Sequence, residues 1–214
     1  MTRPRGRAPI MRHVPLPSLA EAEHCMAMPI AAPHRWTADA VRALPDEPGT
    51  RFECVDGELL VTPGPRLPHQ WAIGALFEAL SRYCRAHGLG AVGMAPSDFE
   101  LDPFTLVQPD VFIVPLVEGR RPVTPAELGH PLLFVEVLSP STARADRVLK
   151  RARYQRHRVP YWIVDLDARL VECWGPDAER PEIVTETLRW QPDGVSAPCL
   201  IELPSLFAEA LGER

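Results

Sequence analysis

The chain has 214 residues, 46% of them hydrophobic and 24% charged, with a net charge of −5. That is enough apolar sequence for a domain with a sizeable core, and the negative balance argues against coating nucleic acid by bulk charge, though not against a local basic groove around an acidic site. No apolar run approaches the roughly 18 residues of a membrane span. No signal-peptide core follows the basic first residues, and the five cysteines show neither CxxC nor zinc-finger spacing. The expectation is therefore a cytoplasmic protein with reduced thiols and no membrane contact.

Residues 1 to 35, rich in Pro, Arg and small side chains without period, predict a flexible tail ahead of a single domain over 36–214. Met26 and Met28 stand near the start of that domain, where translation could begin. Thr37 caps a short helix closed by Pro45. Arg51 to Thr62 reads as a hairpin about Asp56-Gly57, with Glu58 just after the turn. A long amphipathic helix follows from about Pro68 to His87, with Ile73, Leu76, Phe77, Leu80 and Cys84 on one face and His69 in its first turn. A neutral imidazole is tolerated there, and a surface or capping role for His69 is as compatible as a functional one. Short strands are expected at 91–94 and 97–101. Next comes the run Leu106 to Val114, in which Asp110 interrupts an apolar strand that begins or bulges at Pro109.

Pro131 to Asp165 predicts strand, capped helix, strand, a crossover that returns the chain parallel in one sheet. Glu136 sits inside the apolar run LLFVEVL, where an unpaired charge costs several kcal/mol. Something must therefore face Glu136. Asp146, Lys150 and Tyr154 share one face of the next helix. Of 23 Lys and Arg residues only Lys150 is lysine. It reads either as an exposed partner of Asp146 or as a tunable ammonium that an arginine could not replace. Strands at 169–174, 183–187 and 199–203 and a closing helix at 204–211 complete the chain.

Two carboxylates brought together in a sheet stay ionised only with a cation between them, and all-oxygen ligation favours magnesium or manganese. Removing one of the two, as in Asp110→Asn, is expected to relieve repulsion. The strings RFECVDGELLVTPGP, HQ at 69–70, VQPDVFIV, FVEVLSPST, Asp146…Lys150…Tyr154 and VPYWIVD resemble the Uma-two type family of bacterial restriction endonucleases, within the PD-(D/E)xK nuclease superfamily. The resemblance covers about residues 36 to 175 and keeps the order of all its blocks.

That resemblance implies an α/β restriction-endonuclease-like core, a mixed β-sheet flanked by helices, and a magnesium- or manganese-dependent DNA endonuclease. Asp110 and Glu136 would hold the metal with the Val137 carbonyl, and Lys150 would orient or activate water. Glu58 would be a further carboxylate at the metal or an acceptor for Lys150, and His69 would join the site. Position 138 is leucine where the superfamily has lysine, so Lys150 supplies it from the helix. Many such nucleases are dimers, and a homodimer is an open expectation. Two other readings stand beside the enzyme. One is a catalytically silent binding protein on the nuclease fold, in a mobile-element or defence context. The other is a structural Glu136–Lys150 ion pair that needs no metal.

Overall fold

The structure is a computed structural model that describes residues 35–213. The expected tail and the two early methionines fall outside the described residues, Arg35 excepted. Helix α1 spans Ala38–Arg42, and the Thr37 hydroxyl accepts from the Ala40 N–H at 3.1 Å, as its capping role requires. Strands β1 (Thr50–Val55) and β2 (Glu58–Pro63) form the expected hairpin. Its turn residues Asp56 and Gly57 both have positive φ, 58° and 81°, which is why Asp-Gly suits the place. Helix α2 runs Leu67–His87 and stops at Gly88, whose left-handed backbone lets its N–H reach the Cys84 carbonyl.

Four strands follow: β3 (Ala91–Met94), β4 (Phe99–Asp102), β5 (Thr105–Val107) and β6 (Val111–Val114). The run 106–114, expected to begin or bulge as a strand at Pro109, is interrupted there: it holds two strands, and they belong to different sheets. Pro109 has no N–H to give a ladder, and the Gln108 N–H is taken by the Glu53 side chain at 2.7 Å. Asp110 stands just before β6 rather than inside it.

Strand β7 (Leu133–Val137) leads into a π-helical turn over Ala145–Lys150, then α3 (Arg151–Arg156) and β8 (Tyr161–Asp165). Sequence periodicity had predicted one regular helix here. After β8 come β9 (Leu170–Trp174), β10 (Glu182–Val184), β11 (Thr187–Trp190), β12 (Cys199–Glu202) and α4 (Leu203–Leu211). The strand expected over 183–187 is the end of β10 and the first residue of β11.

The main sheet is mixed, in the order β10-β9-β8-β7-β6-β3, and only β7 and β8 are parallel. That pair is the predicted crossover. A four-stranded sheet, β2-β1-β5-β4, and the antiparallel pair β11-β12 complete the α/β fold. Alternation along β7 separates its two faces. Leu133, Val135 and Val137 pack with α2 residues Ile73, Leu76 and Leu80 and with Leu206 and Phe207 of α4. Phe134 faces the other way, among Phe99, Phe112, Tyr154 and Tyr161. Because strand side chains alternate, Glu136 falls on Phe134's face, away from α2. Both faces of the strand are covered, so its sequence reads as a continuous apolar run with one acid in it.

Candidate active site

The β6–β7 register pairs Val111 with Val135 and Phe112 with Phe134. Carried one residue further, it sets Asp110 opposite Glu136 on the same face of the sheet. Directly opposed residues have Cβ atoms about 5 Å apart. The Asp110 carboxylate completes the ladder that β6 has left: its Oδ2 accepts from the Val137 N–H at 2.9 Å. Its Oδ1 accepts from Arg51 at 3.0 Å, and His69 Nε2 lies 3.2 Å from Oδ2. Burial alone would raise the Asp110 pKa. Contact with His69, the Arg51 charge and the Val137 N–H outweigh it and hold the group at about 2.

Lys150 is not the exposed partner of Asp146 that one reading of the sequence allowed; it is 2% exposed. Its Nζ lies 2.9 Å from Glu53 Oε1, 2.9 Å from Glu136 Oε1 and 3.4 Å from Asp146 Oδ1. The Tyr154 hydroxyl also donates to Glu136 Oε1, at 3.2 Å. The predicted face of Asp146, Lys150 and Tyr154 is therefore real, and the π turn carries its first two members. Such one-turn widenings often occur at functional sites.

Burial would lower the Lys150 pKa, but Glu136, Glu53 and Asp146 overcome it and raise the group well above its ordinary value. Without a metal, the surrounding carboxylates favour the charged ammonium. The Glu136 pKa is raised too. Burial pushes it well above the carboxylate range, Lys150 pulls it back, and Asp110, Asp146 and Glu53 add to the push. Burial raises Asp146 as well, against Lys150, and its Oδ1 has no hydrogen-bond partner.

The sequence reading named Glu58 as the extra acid, and the structure corrects this. Glu58 opens β2 on the exposed side of the hairpin and lies outside the cavity. The carboxylate beside Lys150 belongs to Glu53, five residues earlier and buried. A signal for it was present: Glu53 interrupts the apolar β1 sequence as Glu136 interrupts β7. Arg51 was also missed; it stands two residues before Glu53, on the same strand face.

These groups surround a cavity of about 520 Å³. Arg51, Glu53, His69, Asp110, Glu136 and Lys150 line it. Arg66 and Gln70 from the start of α2 line it too, as do Ser139, Ser141 and Thr142 before the π turn. Four buried carboxylates face one lysine and one arginine, and two of them, Glu136 and Asp146, are pushed toward protonation. That excess of anionic oxygen suits a hard divalent cation. Among the described residues no three Asp, Glu, His or Cys side chains form a ready-made metal cage. Two carboxylates with the remaining positions open fit an ion such as magnesium, which keeps several waters and takes substrate oxygens.

A family model, Uma2, described as "Putative restriction endonuclease", matches residues 38–202. Among solved structures, a putative nuclease belonging to DUF820 from Anabaena variabilis ATCC 29413 is similar over 82% of this chain and 99% of its own, with 18% identity and a TM-score of 0.62. That likeness establishes the nuclease-like fold. No curated protein matches the chain. Among the described residues, no helix is long and apolar enough to cross a membrane.

Proposed function

The chain belongs to the Uma2 family, described as putative restriction endonucleases, and from that premise we propose that it is a magnesium- or manganese-dependent DNA endonuclease. The observation that carries the reading is the placement of Asp110 and Glu136 on one sheet face at a polar cavity, with the Lys150 ammonium against Glu136. Asp110 and Glu136 would hold the cation, with the Val137 carbonyl as a further ligand. A divalent cation there supplies Lewis acidity to the scissile phosphate and makes water a better nucleophile.

The chain's own groups do the rest. Arg51, His69 and the Val137 N–H keep the Asp110 carboxylate ionised and fixed in direction. Lys150 presents a positive charge where negative charge grows on the phosphoryl oxygens, the kind of preorganised stabilisation that dominates such reactions. Glu53, Asp146 and Tyr154 act through other groups, the first two on Lys150 and the third on Glu136; they are positioning residues. Lys150 would also orient the attacking water.

The test is nicking of supercoiled plasmid with magnesium, wild type against Asp110→Asn. Metal-dependent nicking that Asp110→Asn abolishes is expected. Manganese bound at the site without nicking would favour the silent binding protein. No metal binding at all would leave the buried ion pair as an architectural feature.

A further inference from the structure

The segment that carries Asp110 has left one sheet and not yet joined the other. Strand β5 ends at Val107 and β6 begins at Val111, so residues 108–110 cross between two sheets outside either ladder. Gln108 nonetheless holds both arms of the site with its backbone. Its N–H donates to Glu53 Oε1 at 2.7 Å, the same oxygen that lies 2.9 Å from Lys150 Nζ. Its carbonyl accepts from Arg51 Nη1 at 3.0 Å, and that same nitrogen donates to Asp110 Oδ1, also at 3.0 Å. One residue therefore stands between the lysine arm, Glu53–Lys150, and the carboxylate arm, Arg51–Asp110. A shift of Gln108 moves both.

What fixes Gln108 lies outside the cavity. Its side-chain Nε2 donates to Asp98 Oδ1 at 2.8 Å. Asp98 belongs to the short connection between β3 and β4 and is not among the residues that line the cavity. The same connection grips the crossing segment a second time, where the Ala95 N–H donates to the Asp110 carbonyl at 3.2 Å. Pro109 also restricts the residue before it to extended backbone. Among the described residues, the other hydrogen bonds of Gln108 end on Glu53 and Arg51, charged groups of the site itself. The Asp98 contact is what ties it to the scaffold.

We propose that Gln108 and Asp98 are positioning residues: their hydrogen bond holds the residue-108 backbone in place, and through it the spacing between the Asp110 carboxylate and the Lys150 ammonium. The inference rests on the nuclease reading of the cavity and extends it to a residue beyond the cavity wall. It requires a hydrogen-bond acceptor at position 98, not a charge. The rival duty of Asp98 is an ion pair, since its Oδ2 lies 3.6 Å from Arg42 Nε. Arg42 has other acids in Asp39 and Glu100, and such pairs near the surface contribute little. Asparagine at position 98 separates the two duties, because it keeps the acceptor for Gln108 and drops the charge facing Arg42.

Lys150 is the only lysine in the chain, so isotope-labelled lysine gives a single side-chain NMR signal from the centre of the site. In EDTA, Asp98→Ala should shift that signal, and Asp98→Asn should leave it near its wild-type position. Gln108→Met, which cuts the same bond from the other side, should reproduce Asp98→Ala, and the two together should add little to either alone. In plasmid nicking with magnesium, Asp98→Ala and Gln108→Met should lower kcat about tenfold or more with KM near that of wild type, as a small misplacement of reacting groups does. Asp98→Asn should nick at close to the wild-type rate. A lysine signal that stays put in Asp98→Ala overturns the proposal. So does one that moves equally in Asp98→Asn, which would assign the effect to Arg42. Should Asp98→Ala fail to fold, Gln108→Met carries the same comparison. Nicking by the wild type reports on the cavity separately. The predicted lysine shifts without any nicking keep the clamp and remove the nuclease; nicking with an unmoved lysine signal does the reverse.

Discussion

Two isosteric changes at the cavity should move the stability of the metal-free protein in opposite directions. Asp110 is held at about 2 against an ordinary 3.8. At about 1.4 kcal/mol per pH unit, its ionised form contributes roughly 2 kcal/mol to folding. Asp110→Asn should therefore lower stability at neutral pH by about that amount, leaving Arg51 and His69 without their anion. This reverses the sign expected from sequence, where crowding of two carboxylates was the only visible term. Glu136 is the group that pays for the crowding. Its folded pKa is raised, so ionised Glu136 opposes folding, and Glu136→Gln should leave the metal-free protein as stable or more so. Lys150 keeps Glu53 and Asp146 as counter-charges.

The signs differ with pH as well. The Asp110 contribution is present above 3.8 and is lost as pH falls through about 2. The Glu136 contribution is present below its unfolded value of 4.5 and is lost as pH rises through its raised folded value. Urea unfolding of both variants in EDTA, from acid to neutral pH, measures these differences directly. Repeating it at neutral pH with manganese in place of EDTA should raise the urea midpoint of wild type only. Shifts of the same sign for both variants at neutral pH would refute the electrostatic account.

Further expectations follow from the same geometry. Lys150→Arg should reduce magnesium-dependent nicking by about 10²-fold, the scale for one positioned charge, while manganese binding by calorimetry persists; equal nicking would remove Lys150 from the mechanism. Lys150→Met should destabilise by about 3–5 kcal/mol in urea unfolding, because it strands buried carboxylates without a counter-charge. Glu53→Gln should slow nicking about tenfold or more by loosening Lys150, whereas exposed Glu58→Gln should match wild type. A Glu58→Gln loss with a silent Glu53→Gln would undo the assignment of the third acid.

Much of the fold was legible because its signals are local. Asp-Gly at the hairpin, Gly88 after α2 and the Glu136 interruption each act within a few residues of themselves. So was the Asp110, Glu136 and Lys150 set, since each is an anomaly in its own segment. What the sequence did not yield depends on distant partners. Pro109 marked the break, but not that the two sides join different sheets or that the Glu53 side chain captures the Gln108 N–H. The choice of Glu53 over Glu58 depends on which face of β1 meets the helix carrying Lys150, and both acids look alike beside a turn. The π turn leaves no trace in apolar periodicity, because the side chains it rearranges are charged.

Lys150 also ties β1 of the smaller sheet to β7 of the larger one, through Glu53 and Glu136. A relative that did not cut would still need that rivet to hold its two layers in place. Selection for mere foldedness would then preserve the acid–lysine set long after catalysis had gone. The informative losses would come first where no architectural duty protects a residue, at exposed Arg66 and Gln70 on the cavity wall. Surveys that count intact charged triads would therefore overestimate how many such proteins cut, and the erosion of that wall is the better clock.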